Sequence, residues 1–194
     1  KEAWVFSHKA WGDGDPRPDR TDPVPENLDW DLWLSVAKDR PFIGNGYYHR
    51  SNWRRRQDFG TGTLGDMGCH IFSPLYTGLK LTVPSSLRSE TCIPNEHNWA
   101  YNEKIEYWFP KTPHSAGDIK VTWVSGDRLP PKRLLDQIPQ GTMMDQGCLL
   151  DGTNGLLLTR HPGTPPLFFP QEKFADLKFP ELEPINHYHA FVDA

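Results

Sequence analysis

Two six-residue runs, Lys104-Ile-Glu-Tyr-Trp-Phe109 and Ile119-Lys-Val-Thr-Trp-Val124, alternate polar and apolar side chains. That is the period of strands that bury one face. Leu149-Leu150 and Leu156-Leu157-Leu158 flank Asp151-Gly-Thr-Asn-Gly155, a turn rich in residues that accept positive φ, so this pair reads as a hairpin. Trp4 to Phe6 reads as a first strand and Ser86 to Thr91 as another extended segment. Strands joined by hairpins give an antiparallel sheet, which needs cover on one face while the other can be open. Met67, Ile71, Leu75 and Leu79 recur at helical spacing and supply that cover. The expectation is an α+β fold, a mostly antiparallel open sheet with helices on one face. A chain of 194 residues has length for one sizeable core and is short for two, so one domain is expected across 1–194, without internal repeats.

The connecting segments are uneven. Ala10 to Pro25 is dense in Pro, Asp and Gly and cannot hold a regular element. Asn27 is expected to cap a short helix through Trp30, Trp33 and Val36, and residues 38–58 are irregular and aromatic. Pro130 to Ile138 reads as a short helical insert, and Pro165 to Pro184 as a Pro-rich surface segment. The net charge of −4 argues against nucleic acid or an anionic membrane as the main partner. Arg54-Arg55-Arg56 is the one tight basic cluster, and such clusters are usually solvated faces or partners of carboxylates. No long apolar run spans or targets a membrane, and localisation is left undecided. Cys69, Cys92 and Cys148 lack metal spacing and are odd in number, so they are expected to be buried thiols. His187 and His189, two apart, fall on different helix faces, and no metal site is expected.

Chemistry concentrates in Gly60-Thr-Gly-Thr-Leu-Gly-Asp-Met-Gly-Cys-His70. Thr63 can cap a helix here, with Asp66 as its capping-box partner three residues on. Asp66 and His70, four apart, then share a helix face. A carboxylate beside an imidazole is a usual way to build a proton-transferring group for neutral pH. Spacing alone favours plainer roles, a capping carboxylate and a satisfied interface histidine. Gly60, Gly62 and Gly65 also match the G-x-G-x-x-G dinucleotide fingerprint. The fingerprint needs a buried strand before it, and Ser51-Asn-Trp-Arg-Arg-Arg-Gln-Asp-Phe59 cannot be one, so a nucleotide-binding loop is rejected. Pro74, one turn past His70, cannot donate to the His70 carbonyl and is expected to bend the helix.

Three blocks carry a resemblance. They are Val24-Pro-Glu-Asn-Leu-Asp-Trp-Asp-Leu-Trp-Leu34, Asn52-Trp53-Arg54, and Asp58-Phe-Gly-Thr-Gly-Thr-Leu-Gly-Asp-Met-Gly-Cys-His-Ile-Phe72. Together they resemble the C-terminal domain of Gfo/Idh/MocA oxidoreductases, the glucose–fructose oxidoreductase and inositol dehydrogenase relatives. Ile185-Asn-His-Tyr-His-Ala-Phe-Val-Asp-Ala194 is similar to the family's late helix, which normally runs further.

The resemblance implies a larger protein with an N-terminal Rossmann domain holding NAD or NADP and a lysine in a Glu-Lys-Pro motif. Neither occurs in this chain, and no dinucleotide is expected to bind it alone. The implied activity of the parent is hydride transfer between a carbinol carbon of a sugar or polyol and nicotinamide. His70 would take the hydroxyl proton, and Asp66 would orient His70 or bond the sugar. The family often carries an acidic residue three positions after the histidine, where this chain has Ser73. Of the eight tryptophans, Trp30, Trp33, Trp108 and Trp123 lie in periodic elements and are expected in the core or on the sheet. The resemblance places Trp53 and Arg54 at the rim of the active cleft, as candidate contacts to substrate or cofactor. Two alternatives stand beside this reading: an NAD-dependent glycosidase or lyase of the same family, and a non-catalytic domain whose open sheet face binds carbohydrate or pairs two copies.

Overall fold

The computed structural model describes residues 2–90, 93–161 and 163–193. Its strands are β1 Glu2–Ser7, β2 Ser86–Ser89, β3 Lys104–Phe109, β4 Ile119–Ser125, β5 Gln146–Asp151, β6 Leu156–Arg160 and β7 Leu167–Phe169. Its helices are α1 Trp30–Leu34, α2 Gly62–Leu79, α3 Lys132–Leu135 and α4 His187–Val192, with 3₁₀ turns at Arg50–Arg55 and Gln171–Phe174. The strands form one open sheet in the order β2-β3-β4-β1-β5-β6-β7. Every neighbouring pair is antiparallel except one: β1 runs parallel to β4, with Ala3 opposite Val121 and Val5 opposite Trp123. The first strand of the chain thus sits at the centre. Its sequence fits that place, because Ala3, Val5 and Phe6 are fully buried and lie on both faces.

Side-chain alternation sorts the core into two layers. Ala3, Val5, Val121, Trp123 and Phe109 point to one face and meet Met67, Ile71 and Leu75 of α2. Phe6, Val124, Leu149, Leu158 and Phe169 point to the other and meet Leu134 and Ile138. The second face is therefore partly covered, by the insert carrying α3. Arg133 of α3 fastens that cover by pairing with Glu2 and Asp151.

Several local expectations need correction. β7 lies inside the segment read as Pro-rich surface; Pro165, Pro166 and Pro170 bracket it, and proline confines it to the sheet edge. α4 has no buried residue and covers neither face; Phe191 is 86% exposed on a helix under two turns long. α1 is capped by Asp29, which accepts from the Leu32 N–H at 2.9 Å, rather than by Asn27, and Val36 lies outside it, fully exposed. Cys148 is buried and its thiol is pushed up to about 12, whereas Cys69 is exposed on α2. Cys92 and Thr91 lie outside the described residues.

The start of α2 is also set differently from the capping box. Thr63 is fully buried inside the helix, and its hydroxyl accepts from the Trp11 N–H at 2.8 Å and donates toward the Lys9 carbonyl. Asp66 is taken by another partner, described below. The orphan amide of Leu64 goes instead to the buried carboxylate of Glu103, which also accepts from Trp123 Nε1 at 2.8 Å and Ser125 Oγ at 3.0 Å. A tertiary carboxylate thus does the work of a local cap. Pro74 sits inside α2, which continues to Leu79 and closes on Lys80 in the left-handed conformation at φ 51°.

Candidate functional site

The 3₁₀ turn Arg50–Arg55 lies against α2 and occupies the place a nucleotide-binding fold would give to a strand. The glycines after it serve packing. A Cβ at Gly60 would fall 2.5 Å from the Arg54 backbone, and Gly62 turns the chain into α2 at φ +65° beneath Trp99. No strand immediately precedes these glycines, so the run lacks the strand–turn–helix that a dinucleotide's phosphates require.

The three arginines separate. Arg56 turns inward, 5% exposed, and its Nη1 donates to Asp13 Oδ2 at 2.8 Å and Asn98 Oδ1 at 2.6 Å. Its Nε and Nη2 reach the Tyr47 carbonyl. Arg55, partly buried, lines a shallow depression with Asp13, Asp15 and Asp127. Arg54 reaches α2, where its Nε donates to Asp66 Oδ2 at 3.0 Å, both side chains about a quarter exposed. Its guanidinium lies 4.3 Å from the Trp53 ring centroid and 4.8 Å from that of Trp11. Two indoles thus hold a planar cation that a carboxylate fixes in direction.

His70 is exposed on α2, its ring 5.2 Å from that of His161, the residue after β6. Burial, and then the charge of His70, holds the His161 imidazole below its ordinary range. No hydrogen bond or ion pair joins Asp66 to His70, and the Asp66 carboxylate is held by Arg54 instead. The geometry gives the reason. Helical side chains lean toward the helix N-terminus, where Asp66 meets the 3₁₀ turn and its guanidinium, while His70 stands one turn further on.

Trp53 faces two ways. One side carries Arg54, and the residue also lines a cavity of about 770 Å³ with Trp30, Trp33, Phe42 and Tyr48. Trp33, read from sequence as core or sheet, is a partly exposed wall of this cavity. Neither Asp66 nor His70 lines it. Three participants escaped the sequence: Trp11, in a loop without periodicity; His161, whose only signal is its place after a strand; and Glu103, which caps α2 from forty residues away. Among the described residues, no three His, Cys, Asp or Glu side chains are placed to hold a metal ion.

Residues 4–110 match the family model described as the oxidoreductase family, C-terminal alpha/beta domain, of the Gfo/Idh/MocA group. The matched span holds most of β1, the aromatic segment, all of α2 and the strands to β3, and so every element that builds the Arg54–Asp66 pair and His70. A search of curated proteins finds no match.

Proposed function

This chain belongs to the Gfo/Idh/MocA oxidoreductase family as its C-terminal alpha/beta domain, and we propose that it is the substrate-binding and proton-handling part of an NAD(P)-dependent sugar or polyol oxidoreductase. The parent enzyme would move hydride between a carbohydrate carbinol carbon and nicotinamide held by a Rossmann domain. The observation that carries this is the clamp: Arg54, packed on the rings of Trp11 and Trp53, is fixed by Asp66 of α2, the helix that presents His70 to solvent.

Each part has a task. His70, exposed and free of a carboxylate partner, is the group that can exchange a proton with a substrate hydroxyl. The remaining lone pairs of Asp66 and the remaining N–H groups of Arg54 offer acceptors and donors side by side, the pairing that vicinal hydroxyls require. The indole of Trp53 backs the Arg54 guanidinium, and the residue also lines the neighbouring cavity. Asp66 is thereby assigned to holding Arg54 and bonding the sugar rather than to orienting His70.

The test is nicotinamide reduction by the full-length protein over a panel of aldoses, ketoses, inositols and sugar acids. Carbohydrate-dependent reduction by at least one is the expected result. A protein that holds nicotinamide dinucleotide yet oxidises none of the panel would overturn the reading.

A further inference from the structure

The cavity beside the clamp is not needed by a reaction at His70, and its construction is that of a binding site. Its volume of about 770 Å³ falls within the range of ligand pockets, roughly 300–1,000 Å³. Its walls are aromatic: Trp30 and Trp33 stack with centroids 4.9 Å apart, Phe42 meets Trp30 edge-on, and Trp53 and Tyr48 also line it. Its rim is polar, with Asn27, Asn45, His49 and Arg50 all exposed. Tyr48 is 3% exposed, and its buried hydroxyl has no hydrogen-bond partner among the described residues. Flat apolar walls under a ring of donors and acceptors suit a pyranose, which has apolar faces and a hydroxylated edge.

The position of the cavity decides what such a ring would be. Trp53 lines the cavity, Arg54 packs on Trp53, and Asp66 holds Arg54. From Asp66 to His70 is one helical turn, about 5.4 Å. Neither Asp66 nor His70 lines the cavity, so a ring seated in it is not the ring that lies against His70.

Resting on the oxidoreductase reading above, we infer that the cavity is a distal subsite for a second sugar ring, and that the substrate is an oligosaccharide or glycoside. One ring would lie along Arg54, Asp66 and His70 while its neighbour stacks between Trp33 and Trp53.

The experiment titrates the full-length protein, without added cofactor, by tryptophan fluorescence. The probes are α- and β-linked disaccharides of glucose, galactose and xylose, with the matching monosaccharides. At least one disaccharide should bind roughly tenfold or more tightly than its monosaccharide, a gain of about 1.4 kcal/mol. Trp53→Ala should remove that gain and Trp53→Tyr should retain most of it. The inference is overturned if no disaccharide gains over its monosaccharide, or if the gain survives Trp53→Ala. It is overturned in favour of a cofactor site if nicotinamide dinucleotide competes for the same fluorescence change and Trp53→Ala abolishes dinucleotide binding. Absence of the gain in a protein that still oxidises a monosaccharide removes the subsite and leaves the reaction at His70 standing.

Discussion

Arg54 Nε lies 3.0 Å from Asp66 Oδ2, joining the 3₁₀ turn ahead of α2 to the second turn of that helix. The pair is about a quarter exposed, so solvent screens part of its attraction, and what distinguishes it is the pair of indoles on the guanidinium. Lysine has no planar fork to lay on an indole. A double-mutant cycle with Arg54→Ala and Asp66→Asn, read by urea denaturation, should give a coupling on the order of 1 kcal/mol. Arg54→Lys should lose most of that coupling. A full-sized coupling in the lysine variant would show that the indoles contribute nothing.

Arg56 predicts a larger effect from the same triplet. It is buried, and removing it strands the Asp13 carboxylate, the Asn98 amide and the Tyr47 carbonyl together. Arg56→Met should cost about 3–5 kcal/mol in chemical denaturation, the scale for breaking a buried pair from one side. Arg55→Met should cost far less. Equal losses would contradict the assignment of Arg56 as the structural member.

Much of this was legible in the sequence where periodicity is strong. Lys104–Phe109 and Ile119–Ser125 are strands almost to the residue, the hairpin at Asp151–Gly155 joins β5 to β6, and Met67, Ile71 and Leu75 are the stripe that meets the sheet. The residues do not reveal that β1 runs parallel to β4, because a strand at the start of a chain can enter the sheet at any position in either direction. Helix caps were the other blind spot. Thr63 has a capping residue's chemistry, but its hydroxyl serves Trp11 and Lys9, and the cap comes from Glu103 across the sheet. The candidate site divides likewise. The sequence singles out Asp66, His70, Trp53 and Arg54 as candidates, whereas the pairing of Arg54 with Asp66 depends on which way each side chain leans from its backbone.

Glu103 gives a pH dependence with a definite sign. Burial raises its carboxyl above the ordinary range, outweighing the hydrogen bonds from Trp123, Ser125 and Leu64 that lower it. The folded protein therefore binds this proton more tightly than the unfolded chain does. The resulting stabilisation is complete below the unfolded value and is lost as pH rises through the folded one. Glu103→Gln keeps an acceptor for the α2 amide and removes the charge. Relative to this variant, the wild-type protein should lose stability between about pH 4 and the raised folded value. A stability difference that is flat across that window would contradict a raised carboxyl.

His161 should titrate below an ordinary histidine in an NMR pH series, since burial disfavours its charged form and His70 repels it. In His70→Ala the His161 value should move up, yet stay below the ordinary range because burial is the larger cause. No movement would mean that the two rings do not interact electrostatically, despite centroids 5.2 Å apart.

The measurement closest to the central claim is the turnover of the full-length protein carrying His70→Ala, with thermal stability recorded alongside. His70 is exposed on α2 and bonds to no carboxylate, so its removal should leave the melting temperature nearly unchanged. Turnover of the carbohydrate substrate should fall by about a hundredfold or more, the scale for losing a general acid–base group. Wild-type turnover in a stable His70→Ala protein would show that α2 carries no proton-handling group.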